Sequence, residues 1–319
     1  MNQHKKINYS NLFQSYGTII AGLMVILVFS LLRPDAFFTV RNLINISRQI
    51  SLQVIIAIGA TLIMAVGEFD LSIGALASLG GVIAAKMSVA GVPLVFCFLA
   101  PIVICFVIGW INGWIVTKFN VLSFVTTLGM STILAGFTFW ITGGSTVFQN
   151  IPKTFSYIGS KNLLSIPYLS IIMLVFTFIF WFVMRHMTFG RKLYAIGGNV
   201  TAANVSGIHV QKNKKLAFAI CGSMSAITGV LMASRLGSAH PTGGDSFFLP
   251  SYAAVYLGST VFKEGLPNIR GTFVGAAILG ILANGLTILQ VPTYIQDILT
   301  GTIIILAVIA QKIGRGAAQ

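Results

Sequence analysis

The octet Gly67-Glu68-Phe69-Asp70-Leu71-Ser72-Ile73-Gly74 sets two carboxylates and a hydroxyl between glycines, with long apolar runs on both sides. Carboxylates flanked in this way are expensive in an apolar medium and demand a reason. One reading is a break between helices: Asp70 or Ser72 caps the next helix through its free backbone N–H groups, and the break lines a transport route or a gate. A plainer reading has Asp70 capping a helix near a membrane interface. Both fit the residues. Asn112, Thr126 and Asn284 are further polar residues inside apolar runs. They serve either as weak contacts along a path or as hydrogen-bond partners of neighbouring helices.

A second set lies in the segment from Phe189 to Ile208, where Gly198-Asn199 is followed by Ala202-Ala203 and Ser206-Gly207. Asn199 is a good N-cap, the alanines favour helix and Gly207 is a natural stop, which predicts a helix of about two turns. Such a helix suits docking into a partner's groove. A basic loop lying on anionic headgroups accounts for the charges equally well. In the C-terminal block, Lys263-Glu264 and Arg270 read as solvated charges of an interfacial loop, because exposed pairs contribute little.

The residues needed for catalysis are not arranged for it. His4, His186, His209 and His240 are scattered without metal-ligand spacing. The doublets Gly197-Gly198 and Gly243-Gly244 lack the lysine and hydroxyl of a phosphate-binding loop. No enzyme activity, ATP hydrolysis, bound cofactor or metal is therefore expected of this chain. Cys97, Cys105 and Cys221 all lie in apolar segments without paired spacing and read as packed thiols.

The elements that must position these residues are membrane helices. Of the 319 residues 56% are hydrophobic and 8% charged, against roughly 25% charged in an average soluble chain. A span needs roughly 20 apolar residues. Eight to ten candidates occur, near 17–32, 45–66, 71–89, 93–116, 122–142, 166–184, 215–234, 248–262, 271–290 and 294–311. The first ends in Arg33-Pro34-Asp35 without a small-residue cleavage site and reads as a retained helix. Gly271, Gly275, Gly280 and Gly285 put small residues at repeated positions of one span, a pattern for close helix packing. The expectation is an all-α integral membrane protein: a polytopic bundle of about ten transmembrane helices with a short cytoplasmic helix, forming one domain over residues 1–319.

The net charge of +14 comes from 20 Lys and Arg against 6 Asp and Glu. Its placement argues for membrane orientation rather than nucleic-acid binding. Residues 185–215 carry six Lys and Arg (Arg185, Arg191, Lys192, Lys212, Lys214 and Lys215) and no acid, the strongest cytoplasmic signal in the chain. With ten spans that loop puts both termini inside and divides the 20 cations 13 to 7 in favour of the inside. Two segments, Gly143 to Ser165 and Arg235 to Pro250, are then outside and long enough to touch a partner.

Taken together, the chain resembles the permease family of ribose-type ABC importers. The resemblance is carried by three blocks in order over almost the whole chain: Asn42 to Ile46 running on to Gly67–Gly74, then Leu193 through Asn199 to Ile208, and Tyr252 through Gly258 to Gly271-Thr272. It implies a permease of the bacterial cytoplasmic (inner) membrane that moves a monosaccharide by alternating access. By the same resemblance, Gly198 to Ile208, with Gly198, Asn199, Ala202, Ala203, Ser206 and Gly207, couples to a cytoplasmic ABC ATPase subunit. Glu68, Asp70, Ser72, Asn112, Thr126 and Asn284 are the candidates for a path or gate. The implied partners are a second permease copy or paralogue, the ATPase, an extracytoplasmic sugar-binding protein and the lipid bilayer, with no nucleic acid. Glu68 departs from the relatives' pattern, in which Gly-Gly and then an apolar residue commonly precede the Asp-Leu-Ser; here Gly67 is followed by Glu68, which adds a charge. The rival reading is an ion-coupled secondary transporter using Glu68 and Asp70.

Overall fold

A computed structural model describes residues 9–261 and 265–316. Lys263 and Glu264 lie outside the described residues. The chain runs α1 (Tyr9–Leu32), α2 (Pro34–Phe37), α3 (Val40–Ala65), α4 (Ile73–Val89), α5 (Leu94–Phe119), α6 (Ser123–Thr142) and α7 (Tyr157–Ser160). A two-residue hairpin, β1 (Asn162–Leu163) with β2 (Ile166–Pro167), leads into α8 (Tyr168–His186). Then come α9 (Thr188–Gly198), α10 (Val200–Val205), α11 (Val210–Leu236), α12 (Phe248–Val261), α13 (Ile269–Ile288) and α14 (Thr293–Gly316).

Burial is inverted relative to a soluble protein. Among the described residues six helices, α3, α5, α6, α8, α11 and α13, are long and apolar enough to cross a membrane. In α3 and α11, 78% and 83% of the most apolar window is buried, yet in α5, the most hydropathic of the six, only 22% is. A helix so rich in apolar residues and so little buried is one whose outer face meets lipid. The molecule is thus an all-helical, polytopic membrane bundle with α3 and α11 at its centre. Three further apolar stretches are shorter, at Thr18–Leu32, Ile73–Val89 and Thr293–Ile309.

The expected spans fall on helices with shifted ends. The first begins at Tyr9, eight residues before the apolar run, and the central one at Val210. In both, polar residues extend a helix whose apolar stretch is only its middle. The largest departure is α9: an 11-residue helix with Gly190, Leu193 and Ile196 buried occupies part of what reads as basic loop. Its apolar positions recur at helical spacing between exposed cations, so it packs sideways on the bundle.

Close backbone approach sets the core. In lipid, helices associate through packing contacts that small residues permit. A Cβ on Gly229 of α11 would sit 1.8 Å from the Ala77 carbonyl oxygen of α4. One on Gly222 would lie 2.3 Å from that of Cys105 in α5. The Gly271–Gly285 series behaves in the same way: Gly271 lies against Gly258 and Gly275 against Ala254, both in α12.

Two helices start inside this bundle after stretches of irregular chain. One is α4, preceded by residues 66–72. The other is α12, preceded by residues 237–247, of which Asp245–Phe247 form a single 3-10 turn. This second stretch, expected as outer surface, is tied by Ala239 to Val147 of the other long loop through paired backbone hydrogen bonds of 2.8 and 2.9 Å. It then dips to α4, where the Gly244 N–H donates to Ser78 Oγ at 2.8 Å. The Asp245 Cα lies 3.1 Å from where a Gly74 Cβ would stand.

Gly229→Ala is expected to destabilise the fold by about 1–3 kcal/mol through overpacking. Gly136→Ala, on an open face of α6 with no neighbour within 4 Å, is expected to leave the melting temperature unchanged or raise it. Thermal unfolding of the two variants in detergent checks the contrast.

Candidate functional site

The chain between α3 and α4 is the centre of a polar knot. Helix α3 ends at Ala65, and Gly67 turns the backbone with φ +82°, a conformation that costs little only for glycine. Glu68 N–H still reaches the Ile63 carbonyl of α3 at 3.0 Å, but the N–H groups from Phe69 to Ser72 have no helical partner. Side chains supply one for each. Ser123 Oγ accepts from Phe69 N at 3.3 Å, and Tyr252 Oη accepts from Asp70 N at 2.8 Å. Thr127 Oγ1 accepts from Leu71 N at 2.9 Å, and Asp70 Oδ1 accepts from Ser72 N at 2.8 Å. The accepting hydroxyls are held by α6 and α12: Thr127 is fixed to the Ser123 carbonyl at 2.8 Å, and the Tyr252 hydroxyl donates in return to the Asp70 carbonyl at 2.9 Å.

Asp70, rather than Ser72, supplies the side-chain cap at the start of α4. Ser72 occupies the N-cap position but makes no capping bond of its own. Its hydroxyl donates to Asp70 Oδ1 at 2.5 Å and accepts from Asn112 Nδ2 of α5 at 3.0 Å. Asp70, Ser72 and Asn112 are each fully buried. Below them Glu68 forms an ion pair with Lys214 at the start of α11, each side chain 15% exposed.

Four of the expected path residues, Glu68, Asp70, Ser72 and Asn112, therefore come together. The other two lie apart. Thr126 returns its hydroxyl to the Leu122 carbonyl of its own helix at 3.1 Å, one residue from the face that Thr127 presents to the knot. Asn284 donates to Asn42 Oδ1 of α3 at 3.0 Å, a cross-helix tie between α13 and α3.

The second expected set also gathers in one place. Asn199 Oδ1 accepts from Ala202 N at 2.9 Å and so caps α10. The helix closes at Ser206, with Gly207 at φ +78° and Ile208 N bonded to the Ala203 carbonyl at 3.0 Å. Gly198, Asn199, Ala202, Ser206 and Gly207 are exposed, whereas Ala203 faces inward and is 4% exposed. The outward apolar groups are Val200 at 46% and Val205 at 85%.

The two sets are joined by direct backbone contact. Gly197, which precedes α10 by three residues, lies so close to the end of α3 that a Cβ on it would be 2.2 Å from the Ala65 carbonyl oxygen. Gly67 lies against Gly197 in turn.

Sequence reasoning missed Tyr252, Thr127, Ser123 and Lys214 as members of the knot, and Val200 and Val205 as the exposed apolar pair. A hydroxyl facing a backbone N–H 182 residues away leaves no local pattern. Lys214 left a weak signal, since an acid between apolar runs of a basic protein calls for a cation.

With this geometry in hand, the comparisons with known proteins decide the family. Residues 42–308 match the family described as branched-chain amino acid transport system / permease component. The chain belongs to this family. It is 38% identical over 298 residues to the ribose import permease protein of Haemophilus influenzae, covering 92% of both chains. It is 35% identical over 311 residues to the ribose import permease protein of Bacillus subtilis, covering 97% of this chain and 96% of that one. The D-allose transport system permease protein of Escherichia coli is 33% identical over 314 residues, covering 98% and 95%. No solved structure matches.

The Glu68–Lys214 pair is partly buried, so its worth lies between that of an exposed pair, up to about 1 kcal/mol, and the ~3–5 kcal/mol lost when a buried charge is stranded. Glu68→Gln and Lys214→Gln are each expected to lower stability, and the double variant to recover part of the loss. A double-mutant cycle of thermal unfolding measures the coupling; additive losses would show that the pair contributes nothing.

Proposed function

We propose that this chain is the membrane-spanning subunit of an ATP-driven ABC importer of monosaccharides, working by alternating access in the bacterial cytoplasmic membrane. The observation that carries the reading is similarity from end to end: relatives covering more than nine-tenths of the chain are named for import of ribose and transport of D-allose. The family description names branched-chain amino acids. We follow the full-length relatives on substrate class, because a family description spans members with different substrates and the relatives whose names give a substrate are named for ribose, D-allose or xylose.

In this reading the whole chain, residues 1–319, is one permease domain with ten crossings. The shorter apolar helices and α12, of 14 residues, complete the six long ones by meeting irregular chain within the bundle, as in transporters with interrupted helices. Both termini are cytoplasmic, in keeping with the run of cations between Arg185 and Lys215. The subunit performs no hydrolysis. A second permease copy or paralogue, a cytoplasmic ATPase and an extracytoplasmic sugar-binding protein complete the importer, the last of these docking on the two long outer loops.

The coupling surface is α10, entering a groove of the ATPase with Val200 and Val205 as its apolar contacts. Motion of α10 reaches Gly197 three residues away, and through its contact with Ala65 and Gly67 displaces the irregular chain that bears Glu68, Asp70 and Ser72. Asp70, Ser72 and Asn112 then act as the hinge or gate, with Thr126 and Asn284 as weaker contacts for the moving solute. The secondary-transporter alternative has no observation in its favour, and Glu68, one of its two carboxylates, is already paired with Lys214.

The test is uptake of labelled ribose, allose and xylose into proteoliposomes holding the permease, its ATPase and its binding protein. Uptake is expected to require ATP and the ATPase, and to be abolished by Val205→Asp, which leaves the exposed side of α10 charged without disturbing Ala203. Asn199→Ala, which removes a cap worth about 1 kcal/mol, is expected to lower uptake while the binding protein still docks. Uptake driven by an ion gradient without the ATPase would overturn the reading.

A further inference from the structure

Hydrogen-bond arithmetic in the knot leaves two acceptors without a donor. Asp70 accepts twice at Oδ1, from the Ser72 N–H and the Ser72 hydroxyl, but its Oδ2 has no partner. Asn112 donates through Nδ2 to Ser72 Oγ, and its Oδ1 also has no partner. Both residues are 0% exposed. The two bare oxygens belong to side chains joined through one hydroxyl, that of Ser72.

The charge balance is also incomplete. An ionised Asp70 would be a buried anion, and among the described residues no cation lies within ion-pair distance of it. The groups that face it are accounted for in turn. From α11, Lys214 is engaged by Glu68, and Cys221, within electrostatic reach of Asp70, is an uncharged thiol. Helix α12 contributes the Tyr252 hydroxyl, already bonded to the Asp70 backbone. From α5 and α6 come Asn112, Ser123 and Thr127, none of them titratable. Ahead of α12, Asp245 lies beside Gly74 and adds a second acid near the first turn of α4. Lys214 sits seven residues along α11 from Cys221, roughly 10 Å at 1.5 Å per residue. The start of α4 opposes the negative charge through the Ser72 N–H and hydroxyl that donate to Asp70 Oδ1.

We propose that the Asp70–Ser72–Asn112 cluster is a proton-binding site, with one proton held on Asp70 Oδ2 in this conformation. The proton comes from solvent and adds to a carboxylate lone pair; no other bond forms or breaks. It cancels the buried charge and turns one of the two unpartnered acceptors into a donor. Oδ1, unprotonated, continues to accept both bonds from Ser72, so the cap on α4 survives. The site does not drive transport, and it does not depend on which solute is carried. Opening of the break would admit water to Asp70 and release the proton, so the occupied state belongs to the closed arrangement.

The experiment uses the purified full-length permease in lipid and reads the carboxyl directly. Infrared spectra of wild type are expected to show the C=O stretch of a protonated carboxylic acid at neutral pH, shifting in deuterated buffer and absent from Asp70→Asn. Asparagine keeps an acceptor for Ser72 and offers an N–H where the acid offers O–H, so this variant is expected to fold and to melt within a few degrees of wild type. Linkage gives a second readout with a definite sign. A proton held by the folded state and lost on unfolding makes stability fall as pH rises above the ordinary carboxylate range, ~4. That fall is expected in wild type and is expected to be smaller in Asp70→Asn by this one group. An infrared spectrum lacking the acid band, with wild type and Asp70→Asn showing the same pH slope, overturns the proposal. So does stabilisation of wild type, but not of Asp70→Asn, by sodium or potassium against choline, which would put a metal cation at the cluster instead.

Discussion

The structure depends on one requirement: a stretch of irregular backbone inside an apolar bundle must have its N–H groups satisfied by protein. From Phe69 to Ser72 four successive amides leave the helical ladder. Each unsatisfied amide in an apolar medium costs several kcal/mol. Three of them are met by hydroxyls from α6 and α12, and the fourth by Asp70 itself. The positions of α6 and α12 are therefore specified by this short segment as much as by apolar packing. A helix pair that slid past it by one residue would break two or three hydrogen bonds at once. Discrete alternatives, rather than continuous deformation, follow from that kind of contact.

Glycine packing does the complementary work. Around α11 the backbones of α4 and α5 approach so closely that side chains are excluded at Gly229 and Gly222. The same device fixes α12 to α13 through Gly258 and Gly271. Contacts of backbone on backbone give no freedom for rotamer adjustment, so each of these helix pairs moves as one unit. The hydroxyl network of the knot joins the α4–α5–α11 group to the α12–α13 group, with Asn112 of α5 on one side, Tyr252 of α12 on the other and Ser123 and Thr127 supplied by α6. Its buried bonds can be exchanged only as a set, so the knot joins the two groups in discrete arrangements.

Much of this was legible in the sequence, and the limit was set by range. Helices were legible because lipid demands long apolar runs, and the starts of α4, α6, α12 and α13 lie within two residues of the ends of those runs. Asp70 and Ser72 stood out because acids between apolar runs are costly, and Asn199 with Gly207 because capping residues carry their own signature. Helix α9 was hidden by its cations, which made a packed amphipathic helix look like loop. The dip of Gly243–Phe247 toward α4 was hidden because turn-rich sequence says nothing about depth. Ala203 was picked out as part of a docking surface on composition and on the family resemblance, and its burial became visible only when α10 was set against its neighbours.

The link between the two candidate sites is where geometry adds most. Gly197 has no room for a side chain because the Ala65 carbonyl lies beside it, and Asn199, two residues on, caps α10. The end of α9 is therefore pressed on the end of α3, just where Gly67 takes its positive φ. A push on α10 cannot be absorbed by side chains at this point, since neither partner has one. It passes to the Gly67 turn, whose glycine can change ψ without a steric penalty. The residues next in line are Glu68, held by Lys214 of α11, and Asp70, held by α12. Displacement there must either carry α11 and α12 along or break their contacts with the irregular segment. The short path from Asn199 to Asp70, through one glycine contact and one glycine turn, is accordingly the geometry that supports the proposed coupling role of α10.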